Sequence, residues 1–275
     1  MTLPGAKLKM RLDEPAPSMN WYTPIVRSQS MNTKQLTRSA LWRLGISVTR
    51  FPAPHMLSRK VGELIRASDI NIVLDVGAFH GTYCEMLRTE ARYTGLIASF
   101  EPCEDSFRIL STAMREDKYW RGYRFGLGNC DTVTSLNKYD QVELSSLLTL
   151  REEGARAYGV GTHSRTTEAI QLHKIDTIWD EIMEGVESPR VFLKTDAQGV
   201  DTAAVLGATG HLQYVHGIQS ELPVVEIYEG MVSLAEALQL YRKLGYIPVG
   251  FYPLGTREAY GLSPEFDVVF RRSHA

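Results

Sequence analysis

Glycines and carboxylates cluster where apolar segments of this 275-residue chain end. The apolar run Ile72–Val76 contains Asp75 and leads into Gly77 and Gly81. This pattern is typical of a buried strand that turns sharply into a helix, with glycines that let a ligand approach the backbone. Phe79 stands where the dinucleotide-binding fingerprint has its middle glycine. The loop therefore favours a ligand group smaller than a pyrophosphate, although a purely structural strand-to-helix turn has the same pattern.

A second carboxylate follows the next apolar run. Glu101 comes 26 positions after Asp75, close to the offset of about 20 residues at which an acidic side chain binds ribose hydroxyls. Pro102 ends that strand. Further along, Asn129 follows a Gly-Leu-Gly segment, where it would contact an adenine edge or lie in an ordinary turn. Glu101 and the glycine loop together predict a site for an adenosine-containing cofactor.

A third polar group lies at the end of Val191–Thr195, which we predict to be a central strand. Open α/β sheets bind ligands at the carboxyl ends of such strands. The polar side chains at this end are Lys194, Asp196, Gln198 and Asp201. Asp196 is the first candidate for a general base, or for a group that orients an acceptor hydroxyl; its alternative role is a helix N-cap. Glu221, which ends the next predicted strand, adds a carboxylate at the same edge.

Two histidines compete with Asp196 for the role of base. His80 follows the glycine loop, and His163 lies in a long insertion where a lid facing the acceptor is expected. His80 is equally consistent with a solvent-facing or capping imidazole. A divalent metal held by Asp196, Asp201 and Glu221 would also acidify a hydroxyl. The sequence contains no compact ligand motif, so we expect chemistry without a metal.

Apolar runs alternate with helical patterns from residue 71 onward. The predicted strands are Ile72–Val76, Leu96–Glu101, Gly122–Gly126, Val191–Thr195, Gly217–Glu221, Tyr246–Tyr252 and Phe266–Arg271. The predicted helices are Leu57–Ala67, Gly81–Arg92, Cys103–Met114, Ala169–Glu184, Val200–Thr209 and Leu234–Leu244. This alternation predicts an α/β fold with a mostly parallel sheet covered on both faces. The link Pro253–Pro264 is too short for a helical crossover, so the last two strands should pair antiparallel.

Two regions fall outside this alternation. Residues 1–56 are predicted to form an N-terminal arm and helix, and residues 57–275 the main domain. Over Thr33–Leu44 the arm has apolar residues at helical spacing with basic residues among them, a pattern that fits contact with a membrane or a lipid-linked substrate, or simple packing on the core. Its Trp21–Tyr22 cluster is a candidate homodimer contact. Asp131–Thr167 is predicted to be an irregular insertion, either functional or disordered.

The composition is that of an ordinary soluble protein, with 44% apolar and 23% charged residues. Thirty basic against 32 acidic residues give a net charge of -2, which argues against broad binding to nucleic-acid phosphates. The three cysteines form no C-x-x-C pair, which is typical of a reducing compartment. The sequence has no run of 18 apolar residues and no secretory signal, so we expect a cytoplasmic protein without a transmembrane segment.

These motifs resemble those of the FkbM-type methyltransferases, which use S-adenosyl-L-methionine. The resemblance covers roughly residues 57–272. It is carried by Leu74–Ala78 with Gly81, Phe100–Pro102, Ser145–Leu147, Ile175–Ile178, Lys194–Gly199, Val205–Ala208, Glu221, Gly245–Tyr246 and Glu265–Asp267. It implies a Rossmann-like class I methyltransferase fold with a seven-stranded sheet, and methyl transfer to a hydroxyl group, commonly of a sugar on a glycolipid, a polysaccharide or a natural product.

The resemblance also assigns roles to residues. It implies that Gly77 and Gly81 line the methionine and ribose moieties and that Glu101 holds the ribose hydroxyls. The whole predicted cofactor site comprises Asp75, Gly77, Phe79, Gly81, Glu101 and Asn129. The chain departs from the family at two positions, since the family usually has Asn in place of Phe79 and often Glu in place of Asp201.

Two other function classes stay open. A nicotinamide-dependent reductase shares the strand, glycine loop and acidic residue, but the missing middle glycine and the antiparallel last strand count against it. A methyltransferase fold kept as a non-catalytic binding or partner subunit is the other. Gly77, Gly81 and Glu101 together argue against such a scaffold, which needs none of them. A nucleic-acid methyltransferase is less favoured, because the sequence has neither a basic arm nor an aromatic–proline base-flipping motif.

Overall fold

The computed structural model describes residues 56–161, 166–254 and 263–273. Three predictions fall outside these ranges: the helix over Thr33–Leu44, the Trp21–Tyr22 cluster and the position of His163. Within the ranges, no helix is both long enough and apolar enough to span a membrane.

The described residues contain ten strands in two sheets. In chain order they are β1 (Ile72–Val76), β2 (Leu96–Phe100), β3 (Trp120–Tyr123), β4 (Gly126–Leu127), β5 (Thr132–Lys138), β6 (Thr166–His173), β7 (Val191–Thr195), β8 (Val215–Pro223), β9 (Tyr246–Leu254) and β10 (Glu265–Arg272). The main sheet has seven strands in the order β3-β2-β1-β7-β8-β10-β9. Its strands pair in parallel except β10, which is antiparallel to both β8 and β9. The predicted α/β fold, with a seven-stranded, mostly parallel sheet and an antiparallel C-terminal strand, is confirmed.

Seven α-helices lie in the same described ranges. They are α1 (Leu57–Ala67), α2 (Thr82–Thr89), α3 (Glu104–Ala113), α4 (Glu152–Tyr158), α5 (Trp179–Ile182), α6 (Asp201–Leu206) and α7 (Leu234–Lys243). Short 3-10 helices occur at Met114–Glu116, Val142–Leu144 and Leu212–Tyr214. The start of α7 is set by a capping box, in which the side chains of Ser233 and Glu236 each accept a hydrogen bond from the other residue's backbone N–H.

The central strands of the main sheet are buried on both faces. Successive side chains of a strand point to opposite sides, so Ile72 and Leu74 enter one core cluster while Val73 enters the other. Phe192 of β7 and Val61 of α1 pack in the same cluster as Val73. Because both faces are covered, β1 and β7 are mostly apolar, apart from Asp75 in β1 and Lys194 and Thr195 at the end of β7, and their bounds match the prediction.

Two predicted elements are wrong. The predicted strand Gly122–Gly126 is replaced by β3 and β4, and β4 belongs to the second sheet. The predicted helix Ala169–Glu184 is replaced by the last part of β6 and the short helix α5. In β6, Ile170 and Leu172 are buried while Ala169 and Gln171 are exposed, so the side chains follow the two-residue period of a strand. The other predicted elements overlap the observed ones and differ only at their ends.

The predicted irregular insertion Asp131–Thr167 is also wrong, because much of it is regular. It contains β5, a 3-10 helix and α4, and β5 pairs antiparallel with β6 in a three-stranded sheet of order β4-β6-β5. β5 buries one side chain, Leu136. A strand with a single buried residue has too weak an apolar pattern to be recognised from sequence.

Candidate active site

A cavity of about 430 Å³ opens at the carboxyl ends of β1, β2, β7 and β8. This is the edge at which open α/β sheets bind ligands. Its wall has a polar and an apolar part. The polar part includes Tyr83, Glu101, Glu143, Ser146, Lys194, Asp196, Gln198, Gln219, Glu221 and Asp267. The apolar part includes Phe79, Pro102, Leu127, Leu136, Ile170 and Leu172.

The loop after β1 forms one wall and lies directly against the loop after β7. Gly77 has a φ of 71°, and a Cβ added to it would lie 1.8 Å from the backbone oxygen of Asp196. Phe79 is also left-handed, with a φ of 48°, a conformation that costs a side-chain-bearing residue about 1–2 kcal/mol. The backbone N–H of Gly77 donates to the carbonyl of Phe100 at 3.0 Å. Only a glycine fits at position 77.

Two backbone N–H groups fix the side chain of Glu101, and one of them belongs to the loop after β1. Its two carboxylate oxygens accept the backbone N–H groups of Phe79 and Cys103, each at 2.9 Å. Burial raises the pKa of Glu101 to about 7, although these two N–H groups act to lower it. A carboxylate has about four lone-pair sites. Glu101 therefore has capacity for two further hydrogen bonds from donors in the cavity, such as a pair of vicinal hydroxyls.

Lys194 forms the electrostatic centre of the site. Its buried ammonium lies 3.1 Å from Asp75 and 3.4 Å from Asp196, and donates to the backbone oxygen of Gly77 at 3.1 Å. Burial opposes this charge, but the carboxylates of Asp75 and Asp196 outweigh it and raise the pKa of Lys194. The same ammonium keeps the pKa of Asp196 low in spite of the burial of that carboxyl. Asp196 is therefore ionised at neutral pH.

Asp75 lies beneath the cavity and does not reach its wall. Its side chain is fully buried, and besides its ion pair with Lys194 it accepts a hydrogen bond from the hydroxyl of Ser99 at 3.0 Å. The indole N–H of Trp120 donates in turn to that hydroxyl at 2.9 Å. Asp75 thus holds Lys194 in place from below.

Asp196 and Glu221 form a carboxyl pair bridged by an amide. The side-chain nitrogen of Gln198 donates to Asp196 at 3.0 Å and to Glu221 at 3.2 Å. Burial and the nearby carboxylates of Asp196 and Glu265 raise the pKa of Glu221 well above its usual range. Asp196 therefore ionises more readily than Glu221.

Further acids surround the pair. Burial raises the pKa of Asp201 to about 7, of Glu265 to about 8 and of Asp267 to about 6. Asp201 does not reach the cavity wall; its carboxylate accepts the backbone N–H of Ala197 at 3.4 Å. Of these three acids Asp267 belongs to the cavity wall, whereas Asp201 and Glu265 lie behind it.

The structure brings together only part of the predicted site. Gly77, Phe79, Glu101 and Asp196 line the cavity, while Asp75 supports it from below. Gly81 begins α2 with a φ of 92° and packs on the Trp120 ring, outside the cavity wall. His80 stacks on Phe79, with ring centroids 3.5 Å apart, and lines a separate hollow. Asn129 is exposed, and Gly126 and Leu127 line the cavity instead.

Sequence reasoning missed a second hydrogen-bonded chain in the wall. The hydroxyl of Tyr83 donates to Gln219 at 2.7 Å, and the amide of Gln219 donates to Asp267 at 2.7 Å. Asp267 lies on β10, which pairs with β8, the strand that carries Gln219. The available signal was the spacing of Glu265 and Asp267, which puts two acids on the same face of the last strand.

No metal centre is formed among the residues described. No group of three or more His, Cys, Asp or Glu side chains there is arranged to hold an ion. The described cysteines, Cys84, Cys103 and Cys130, are all free.

No family model matches the sequence, and no curated protein matches it significantly. Among solved structures, the chain is similar to the methyltransferase FkbM from Methylobacillus flagellatus, with a TM-score of 0.45 and 14% identity over 74% of this chain and 44% of that one. The chain thus spans less than half the length of that protein.

Two further solved structures have the same kind of similarity. One is a precorrin-6y C5,15-methyltransferase from Geobacter metallireducens, with a TM-score of 0.43 and 9% identity over 82% of this chain and 94% of that one. The other is a fibrillarin from Aeropyrum pernix in complex with natively bound S-adenosyl-L-methionine, with a TM-score of 0.40 and 11% identity over 78% of this chain and 72% of that one.

Proposed function

We propose that the chain is an S-adenosylmethionine-dependent O-methyltransferase that transfers the methyl group to a hydroxyl, most favourably of a sugar on a glycolipid, a polysaccharide or a natural product. The observation that carries this proposal is one cavity whose wall contains Glu101, the Gly77 loop and the ionised Asp196. Its two ends differ in chemistry, since Glu101 lies beside apolar side chains and Asp196 lies among polar ones.

The Glu101 end of the cavity fits the nucleoside part of the cofactor. Glu101 retains lone pairs for the two ribose hydroxyls. Leu127, Ile170 and Leu172 supply an apolar surface for the adenine ring. The Gly77 loop, which has no room for a Cβ, brings backbone close to the methionine part. When bound, the cofactor supplies a methyl group activated by its sulfonium.

The Asp196 end fits the acceptor. A sugar hydroxyl is a poor nucleophile at neutral pH, and a positioned base accelerates its reaction by roughly 10²–10⁴-fold. Lys194 keeps Asp196 ionised, so this carboxylate is able to accept the proton of the hydroxyl as the new O–C bond forms. Glu221, whose pKa is raised by burial and by nearby carboxylates, ionises less readily than Asp196 and is the weaker candidate for the base. Alignment of the two reactants in one cavity contributes further, up to about 7–11 kcal/mol in favourable cases.

Asp196 is a better base candidate than His80, whose imidazole lies in a separate hollow beside Arg88 and Trp120. His163 stays a prediction. So do the division of the chain at residue 56, the homodimer contact and the cytoplasmic location.

Calorimetric titration with S-adenosylhomocysteine tests the cofactor half. We expect binding by the wild type, and a loss of about ten- to a hundred-fold in Glu101→Gln, because a hydrogen bond to a charged group contributes about 1.5–3 kcal/mol. Glu187→Gln changes an exposed acid elsewhere and is the matched control. Thermal unfolding of each protein checks that the variants are folded.

The outcomes separate the function classes. A folded wild type that binds no S-adenosylhomocysteine would exclude the methyltransferase and favour a partner subunit, and binding of a nicotinamide cofactor instead would favour a reductase. If binding is found, transfer of labelled methyl from S-adenosylmethionine to a panel of sugars tests the acceptor class. Transfer to an amine or a thiol but to no hydroxyl would refute O-methylation.

A further inference from the structure

Three hydrogen bonds fix the half-buried side chain of Gln198. Its side-chain nitrogen donates to both Asp196 and Glu221, and its side-chain oxygen accepts a hydrogen bond from the hydroxyl of Tyr228 at 2.7 Å. An amide has one accepting and one donating end. Because Tyr228 engages the oxygen, the two N–H groups face the two carboxyl groups.

The backbone at Gln198 is fixed as well. Gln198 has a φ of 49° and Gly199 a φ of 93°, so two consecutive residues are left-handed. This conformation costs Gln198 about 1–2 kcal/mol and is maintained by the surroundings. The hydroxyl of Ser146 donates to the backbone oxygen of Gln198 at 2.6 Å. Strain held in place by contacts of this kind is found at functional sites.

Tyr228 is itself immobilised by the segment between β5 and β6. It is fully buried in a cluster with Leu144, Leu150 and Ile227, and a β-bridge joins its backbone to Leu150. Its hydroxyl lies 3.0 Å from the backbone oxygen of Leu144, a longer contact than the one to Gln198. The orientation of the amide is thus set by residues far from it in sequence.

We propose that Gln198 and Tyr228 are positioning residues for the carboxyl pair. Tyr228 fixes the amide of Gln198, and the amide in turn holds the carboxyl groups of Asp196 and Glu221 in place through one hydrogen bond to each. The role of this arrangement in accepting a proton from a hydroxyl rests on the proposed function, while the arrangement itself can be tested without an acceptor.

Charged groups around the carboxyl pair favour ionisation of Asp196 and disfavour ionisation of Glu221. Lys194 favours the ionised form of Asp196, and Glu265 and Asp201 disfavour ionisation of Glu221. None of these groups is changed by substituting Tyr228 or Gln198. A change in the titration of the pair would therefore report the loss of the amide donors.

The experiment compares Tyr228→Phe and Gln198→Met with the wild type. Tyr246→Phe is the matched control, because Tyr246 is buried to a similar degree and donates to the backbone oxygen of Val215 at 2.9 Å, away from the cavity. The measurement is the pH titration of side-chain carboxyl carbons by NMR in protein labelled at aspartate, with the Asp196 signal assigned from Asp196→Asn. Binding of S-adenosylhomocysteine is measured in parallel.

We expect the lower titration step of the pair to rise by about one pH unit in both variants and to be unchanged in the control, because the carboxylate loses a hydrogen-bond donor. If the lower titration step of the pair occurs at the same pH in Gln198→Met as in the wild type, the inference is wrong. This variant keeps the half-buried position filled, so the test holds even if Tyr228→Phe does not fold. Failure of the wild type to bind S-adenosylhomocysteine would instead refute the proposed function and leave the titration result intact.

Discussion

The contact between the two loops at Gly77 gives a sharp prediction. In Gly77→Ala, the added Cβ would lie 1.8 Å from the backbone oxygen of Asp196 and 2.9 Å from its carbonyl carbon. Ordinary van der Waals contact is 3.4–4 Å. Both partners are backbone, so no side-chain rotation relieves the overlap, and the loop after β1 must move away from the loop after β7.

Two effects add up in this variant. An alanine at positive φ costs about 1–2 kcal/mol, and an overpacked site costs about 1–3 kcal/mol more. Gly230→Ala separates them, because Gly230 has nearly the same φ, 74° against 71°, and nothing within 4 Å of its added Cβ. We therefore expect losses in the free energy of unfolding of about 2–5 kcal/mol for Gly77→Ala and about 1–2 kcal/mol for Gly230→Ala.

Urea denaturation and calorimetry with S-adenosylhomocysteine measure both consequences. A loss of 1 kcal/mol lowers the melting temperature of a domain of this size by about 2–4 °C, so thermal unfolding gives an independent comparison. Gly77→Ala should bind the ligand far more weakly than the wild type, whereas Gly230→Ala should bind it normally. Equal destabilisation of the two variants together with normal binding by both would refute the reasoning that the two loops are in tight contact at the site.

Two further predictions concern buried charges. Lys194→Met leaves Asp75 buried beside Asp196 without a cation, and should lower the free energy of unfolding by about 3–5 kcal/mol in urea denaturation; a loss below about 1 kcal/mol would contradict the role of this ion pair. Burial raises the pKa of Glu265 to about 8, so the native state binds this proton more tightly than the unfolded chain and stability falls as the pH rises from about 5 to about 8. The Tyr158 hydroxyl donates a hydrogen bond to Glu265, and the side-chain oxygen of Gln in Glu265→Gln is still able to accept it. This variant should flatten the fall, and an unchanged slope of stability against pH would count against the prediction.

Local patterns predicted much of the fold. β1, β7 and α1 have the predicted bounds because each carries its own apolar signal, two as short, mostly apolar runs and one at helical spacing. The antiparallel pairing of the last two strands was predicted because the link Pro253–Pro264 is too short for a helical crossover. β5 and β6 were missed because they are stabilised by each other, through pairing in the second sheet, and their own apolar patterns are weak or ambiguous.

The sequence by itself determined which chemical groups lie at the carboxyl edge of the sheet. Gly77, Glu101 and Asp196 follow their strands directly, so their location at that edge is a local property of the chain. Only the tertiary structure decided which of these groups is charged and which way it points. Lys194 lies between Asp75 and Asp196 because β1 and β7 are neighbours in register.

The orientation of the Gln198 amide, likewise, depends on Tyr228 and on a segment that the sequence indicated to be irregular. Ionisation and hydrogen-bond direction depend on burial and on partners from distant parts of the chain. A strand pattern has no information about those partners, and for that reason the acid–base arrangement of this site became visible only in the folded protein.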